Sequence, residues 1–346
     1  QGGELGAVGL RVAVNTGEVV VSADHRDVVG DPVNVAAHLQ QQAQAGDVLV
    51  GEATRRLVGE LVTLAPVGAL TLKGRAETVA AYRVVSLERP AGAPATAFVG
   101  REDELGRLGA LYDTVVTARR ARLAVILGSP GLGKSRLLDE FARRREDGVT
   151  VLSAHCDPTG GATFAPIAEA VRAVLHLDAG ASADALRAAL DVVLPGDDAE
   201  RSRIASGVAA LFAGTPASPE ETFFLVRRFL AALATAQPVV LVVDDLQWAE
   251  PLLLDLIEHL VQWSTTVPLL LLGAGRPELR EVRSALAVPG GLVAEVVTLA
   301  GLDAGAATRL AANVIGAGAL PAAVAGRVLA ASEGNPLFVG ELVRML

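Results

Sequence analysis

The sequence predicts an α/β protein: a parallel five-stranded sheet flanked by helices, with a helical lid after it and a smaller α+β unit before it. Two observations carry this expectation. Short aliphatic runs such as Leu123–Leu127 and Val239–Val243 end in glycine or acid, the pattern of strands buried on both faces. Hydrophobic residues make up 51% of the 346 residues but aromatics only 3%, so the cores are built from Ala, Val and Leu, which suits helix-rich and parallel α/β layers. The length allows two to three domains. The segments expected are a partial α+β domain over 1–88, a linker over 89–97, an α/β core over 98–300 and the start of a helical lid over 301–346.

A net charge of −9 argues against a general nucleic-acid surface, so no nucleic-acid contact is expected from this chain. The single cysteine, Cys156, excludes an intramolecular disulfide and suits a reducing cytoplasm. The longest uncharged stretch in the C-terminal third, Leu310–Gly326, is interrupted by Gly316, Gly318 and Pro321, so no membrane span is expected. The chain begins with Gln1 and has no clear ending at Leu346, which reads as a piece of a longer polypeptide.

In the first ninety residues, Leu10–Val14 and Glu18–Val21 read as two strands joined by a hairpin at Asn15-Thr16-Gly17. Pro32–Ala43 reads as a helix with proline in its first turn. A strand at Asp47–Val50, a short helix at Glu52–Val58 and β-rich stretches near Leu70–Leu72 and Thr78–Val85 follow. Asp24, Asp27 and Asp31 are either acidic ligands or solvated turn residues, and the turn reading is favoured.

The runs RVAVNTGEVV, RDVVGDPVNVAAHL, GDVLVGEATRRL and LKGRAETVAAYRVV are similar to the C-terminal half of a class III nucleotide cyclase domain, a ferredoxin-like α+β fold, over about residues 8–86. The resemblance implies a purine-reading acid at Asp27 and a transition-state residue at Asn34. It implies a second one, an Arg, where this chain has His38. A mostly neutral imidazole does not supply the permanent fork of donors that an Arg offers to phosphate. The family's two metal-binding carboxylates belong to its N-terminal half, upstream of this stretch, and in-line attack on a phosphate relies on them. The cyclase-like segment is therefore expected to be inactive in this chain, with Asn34 capping or bracing the helix that starts nearby.

After the Pro/Ala/Gly-rich linker comes FVGREDEL, Phe98–Leu105, which reads equally as a helix start with Arg101 and Glu102 on the surface. LAVILGSPGLGKS, residues 123–135, then runs a buried strand into a glycine-rich loop and matches GxxxxGK[ST] at every fixed position. Glycines at 128, 131 and 133 let backbone N–H groups curl around phosphate oxygens. Lys134 is placed for the β- and γ-phosphates and Ser135 for Mg²⁺, with the helix from Lys134 aiming its positive end at the same anion. The nucleotide-binding candidates are Gly128, Ser129, Pro130, Gly131, Leu132, Gly133, Lys134, Ser135 and Arg136. All but two of the 30 basic residues are Arg, yet one of the two lysines stands where a compact ammonium is required. ATP with Mg²⁺ is the expected ligand.

A second strand is expected at Val149–Cys156, followed by a mostly helical insert over Thr163–Ala236. Val239–Asp245 is an apolar run ending in two acids, where ligands sit in open α/β sheets. Asp244 is the candidate Mg²⁺ ligand and Asp245 the candidate water-polarising acid, shorter than the usual Glu and so suited to slow turnover. Further strands are expected at Pro268–Leu272 and Val293–Leu299, five in all. Trp248 reads as core.

Phe98–Leu105, DDLQWAE at 244–250 and EGNPLFVGEL at 333–342 together resemble STAND-type and related AAA ATPases. That resemblance implies Val99, Gly100 and Arg101 against the adenine and Arg276 as a γ-phosphate sensor, although a plain surface Arg capping the strand end accounts for Arg276 equally. It also implies Asn335 and Pro336 near the base, although a helix break with Pro336 in the first turn accounts for that motif as well. The functional expectation is a slow signalling ATPase acting as a nucleotide-dependent switch in a bacterial multidomain regulator, partnered by further domains or by copies of itself. One alternative is an adenylate cyclase regulated by the ATPase in a longer chain. Another is a transcriptional regulator with a DNA-binding domain beyond the C-terminus.

Overall fold

The computed structural model describes residues 10–17, 19–21, 28–58, 62–71, 78–86, 97–145, 147–158, 162–178, 180–194, 198–215, 218–316 and 320–346. The chain divides into two compact units, Gln1–Ala95 and Thr96–Leu346.

The first unit contains strands β1 (Val12–Val14), β2 (Val20–Val21) and β3 (Val28–Val29), helix α1 (Asp31–Gln42), β4 (Val48–Gly51), α2 (Glu52–Val58), β5 (Thr63–Thr71) and β6 (Thr78–Ser86). Its four-stranded sheet runs β1-β4-β6-β5, with β1 parallel to β4 and the other pairs antiparallel. Val35 and Leu39 on one stripe of α1 pack with Leu49 and Ala81 of the sheet to form the core.

Among the described residues the hairpin expected at Asn15-Thr16-Gly17 is not formed. Strand β2 pairs with β3, while β1 pairs with β4. The turn residues are instead tied to the start of α1. Asn15 donates to the Pro32 carbonyl at 3.3 Å, and a Cβ on Gly17 would lie 2.4 Å from the Pro32 ring.

The second unit opens with α3 (Glu102–Ala118), β7 (Arg122–Leu127), α4 (Lys134–Arg143) and β8 (Thr150–His155). A helical insert follows, α5 (Ala165–Val174), α6 (Ala183–Val193), α7 (Asp198–Phe212) and α8 (Pro219–Ala236). Then come β9 (Val239–Asp244), a 3-10 turn at Leu246–Trp248, α9 (Pro251–Trp263), β10 (Leu269–Gly275), α10 (Leu279–Val282) and β11 (Val293–Thr298). Helices α11 (Ala304–Ile315), α12 (Ala322–Ser332) and α13 (Pro336–Arg344) complete it.

All five strands of the main sheet are parallel, in the order β11-β7-β10-β9-β8. Each strand divides its residues between two cores. Leu123, Val125, Val239, Leu241, Leu269 and Leu271 face the helical insert and α9. Ala124, Ile126, Val240, Val242, Leu270 and Leu272 face the residues of α3 and α4. This alternation explains why the strands read as continuous apolar runs: both faces are covered. The helices α11–α13 gather around Ala307, Ala311, Val328, Val339 and Val343 in a small core of their own. Among the described residues no helix is long and apolar enough to cross a membrane.

Candidate functional site

Parallel strands in register bring their carboxyl ends to one edge, and the candidate residues gather there. Leu127 pairs with Gly275, which sets Gly128 beside Arg276, and the Gly128 N–H donates to the Gly275 carbonyl at 3.2 Å. His155 pairs with Asp244, and the Cys156 N–H donates to the Asp244 carbonyl at 3.1 Å.

Between β7 and α4 the loop turns through left-handed backbone at Gly131 (φ 81°) and Gly133 (φ 84°), conformations that favour glycine. Gly133 is the cap of α4 and brings no side chain to the first-turn amides, the arrangement that suits an anion at a helix start. Lys134 is 8% exposed and donates from Nζ to the carbonyls of Gly128 at 2.9 Å and Ser129 at 3.2 Å. Burial pushes its ammonium pKa down, and the carboxylates of Asp245 and Asp244 oppose that shift. Ser135, next on the helix, is exposed. A glycine cradle, an uncapped helix start and a buried ammonium suit an anion such as a triphosphate, and the two nearby carboxylates suit a divalent cation.

At the end of β9, the Asp245 N–H donates to Asp244 Oδ1 at 2.8 Å, and Asp245 itself is left-handed (φ 56°). Gln247 donates from Nε2 to Asp245 Oδ1 at 2.7 Å and accepts at Oε1 from the Arg276 N–H at 3.0 Å. His155 Nε2 lies 3.8 Å from Asp245 Oδ2. Ligand atoms of His155, Asp244 and Asp245 all lie within 4.8 Å of one another. The Arg276 guanidinium sits over the Trp248 ring, 5.4 Å from its centroid. Trp248 is 42% exposed, so the expectation that it is core is corrected: it is a platform for Arg276, because the 3-10 turn buries Leu246 and turns Trp248 outward.

Arg101 is not on the surface. Its side chain is 9% exposed, pairs with Glu104 at 3.1 Å, and donates to the carbonyls of Leu132 and Ala300. It thus ties the glycine-rich loop to the junction after β11. Val99 lies just before it, partly buried.

The N-terminus of α13 docks on the loop itself. Asn335 donates from Nδ2 to the Pro130 carbonyl at 3.0 Å and accepts at Oδ1 from the Leu337 N–H at 3.0 Å, and the Leu337 N–H also approaches the Gly131 carbonyl at 3.3 Å. Pro336 stands in the first turn of α13, as the helix-break reading has it. Behind it, Leu302 N–H donates to the Gly334 carbonyl at 2.7 Å, an approach so close that a Cβ on Gly334 would lie 2.4 Å from the Leu302 oxygen.

In the first unit, Asn34 and His38 share a face of α1, one turn apart. Asn34 does not cap the helix, because Gly30 holds that position without a side-chain bond, and the first turn is set by Pro32 instead. Asp27 lies outside the described residues, as do Asp24 and residues 89–96 of the linker. Three contributors escaped the sequence reading: Gln247, His155 and the loop contact of Asn335. Only the register of strand ends could have pointed to His155. Gln247 and Asn335 both lie in motifs singled out in the sequence, DDLQWAE and EGNPLFVGEL, but nothing within those motifs gives their partners.

Residues 97–272 match the model of the AAA ATPase domain family. The chain belongs to that family. Residues 4–86 match the model of the adenylate and guanylate cyclase catalytic domain, so a cyclase-type domain precedes the ATPase domain. A curated relative, Uncharacterized protein R02095 of Rhizobium meliloti (strain 1021), is 29% identical over 296 residues, covering 78% of this chain and 28% of that protein. The chain therefore spans under a third of the curated relative it matches. Among solved structures, the Aeropyrum pernix ORC1 protein in complex with DNA is 16% identical, covering 72% of this chain and 60% of its own, with a TM-score of 0.46. The Thermotoga maritima RuvB Holliday junction branch migration motor is 14% identical (71% and 61% covered, TM-score 0.37). The P. aeruginosa adenylyl cyclase CyaB is 31% identical, covering 21% of this chain and 40% of its own, with a TM-score of 0.19.

Proposed function

We propose that the second unit binds ATP–Mg²⁺ and hydrolyses it slowly, as a STAND-type nucleotide switch in a multidomain signalling regulator. The observation that carries this reading is the docking of Asn335 and the Leu337 N–H onto the carbonyls of Pro130 and Gly131. A loop that must rearrange around phosphates is held by the helices that would report the change.

In this reading the Lys134 ammonium exchanges its bonds to Gly128 and Ser129 for β- and γ-phosphate oxygens, joined by the first-turn amides of α4, Arg136 among them. Ser135 and Asp244 hold Mg²⁺, which neutralises phosphate charge when bound. Asp245 orients the attacking water through Oδ2, and Arg276 senses the γ-phosphate. Arg101, Val99 and Pro336 flank the base. Partners are further domains of the same polypeptide or copies of this chain, and the location is the cytoplasm. The test is a titration of ATP with and without Mg²⁺, followed by release of inorganic phosphate. Tight binding with turnover below about 1 s⁻¹ is expected, and turnover in the hundreds per second would refute the switch.

The cyclase-type domain is read as inactive in this chain, because His38 stands where the family has Arg and the family's metal-binding carboxylates belong to the half upstream of the matching stretch. The match over residues 4–86 supports a second reading, a cyclase regulated by the ATPase in a longer polypeptide. Formation of cAMP by this chain that depends on Asn34 would overturn the inactive reading.

A further inference from the structure

Asp245 needs help to serve as a water-orienting acid. Its side chain is short, and it hangs from a left-handed residue just beyond the strand, where nothing in the sheet ladder holds it. The support comes from the 3-10 turn that follows. Leu246 is 1% exposed and packs across β10 so closely that a Cβ on Gly273 would lie 2.5 Å from Leu246 Cδ1. That anchor directs Gln247 into the gap between the ends of β9 and β10, where only one amide orientation serves both neighbours. Its NH₂ meets the Asp245 carboxylate at 2.7 Å, and its oxygen meets the Arg276 N–H at 3.0 Å.

We infer that Gln247 is a positioning residue for ATP hydrolysis, locking the Asp245 carboxylate to the strand end from which Arg276 projects; this rests on the ATPase reading above. By occupying Oδ1, Gln247 leaves Oδ2 as the oxygen available to water. By holding the Arg276 backbone, it ties the acid and the γ-phosphate sensor to one frame. Trp248, the next residue, carries the Arg276 guanidinium, so consecutive side chains of one turn set both partners.

The experiment compares wild type, Gln247→Met, Asp245→Asn and the double variant in the intact protein. Methionine keeps the length and volume of glutamine and removes both bonds. Gln247→Met is expected to lower kcat about 10- to 100-fold, the scale of a misplaced catalytic group, with KM for ATP and the affinity for a fluorescent ATP analogue within about twofold of wild type. In the Asp245→Asn background the same change is expected to cost less than about twofold more, because Gln247 acts through that carboxylate. Independently of turnover, hydrogen exchange in the nucleotide-free protein is expected to quicken about tenfold at the Arg276 amide in Gln247→Met, read on the peptide that carries it. A kcat within twofold of wild type, a full additive loss in the double variant, or unchanged Arg276 exchange would each overturn the inference. Wild type that binds ATP and releases no phosphate would instead sink the hydrolysis reading, and the positioning role with it.

Discussion

Replacing Asn335 tests whether the C-terminal helices hold the glycine-rich loop, because one side chain makes two separable bonds. Its Oδ1 caps α13 by accepting from Leu337 N–H, and its Nδ2 donates to the Pro130 carbonyl. Asn335→Ala removes both. Loss of an N-cap costs about 1 kcal/mol, and a neutral hydrogen bond contributes about 1 kcal/mol. Together these predict about 2 kcal/mol less stability, a fall of about 4–8 °C in the melting midpoint of a unit this size. Asn335→Asp keeps the cap, which a carboxylate fills well at a helix N-terminus, but loses the donor to Pro130. It also brings a negative charge onto the glycine-rich loop, where it opposes the charge of a triphosphate. The Asp variant should therefore melt about 2–4 °C below wild type, half the fall of the Ala variant, and bind ATP about tenfold more weakly, the scale of about 1–2 kcal/mol. Thermal melts without nucleotide and isothermal titration with ATP read the two effects separately. An Ala variant that melts like wild type, or an Asp variant with unchanged ATP affinity, would refute the contact as a link between loop and helices.

Other expectations follow from the same geometry. Lys134→Ala removes the ammonium in the glycine cradle and should abolish ATP binding in a titration; unchanged affinity would sink the loop assignment. Gly334→Ala puts a Cβ 2.4 Å from the Leu302 oxygen at a residue with φ 72°, so it should destabilise the second unit by about 2 kcal/mol or more, measured by urea unfolding. Glu140, bonded to Arg143 and Arg144, has its pKa held down from 4.5 to about 2. A depressed carboxylate stabilises the fold above its unfolded pKa and loses that effect as pH falls through the folded value. The stability gap between wild type and Glu140→Gln should thus be full at pH 6 and close between about pH 4.5 and 2, as urea midpoints would show.

The main sheet was readable from residues alone because each strand carries its own signal. Leu123–Leu127, Val239–Val243 and Leu269–Leu272 are apolar without interruption, and a strand covered on both faces has no other way to be written. The loop at 128–135 was equally readable, since its glycines and Lys134 answer to a backbone shape set locally. Elements whose partners are distant were not. The Asn15-Thr16-Gly17 hairpin failed because the choice between pairing β1 with β2 or with β4 is made by non-local packing, and Asn15 and Gly17 are held by Pro32.

The same division runs through the site. By itself the sequence determined a glycine-rich loop after a buried strand and a buried-strand end with two acids, for which local backbone chemistry is enough; the AAA-type character rested on the resemblance carried by Phe98–Leu105, 244–250 and 333–342. Only the tertiary structure decided that Gln247 joins Asp245 to Arg276, that His155 faces the same carboxylate, and that Asn335 grips the Pro130 carbonyl. These are side-chain bonds between chain ends brought together by strand register and close packing. Their geometry depends on residues up to 205 positions apart, so no stretch of sequence contains it.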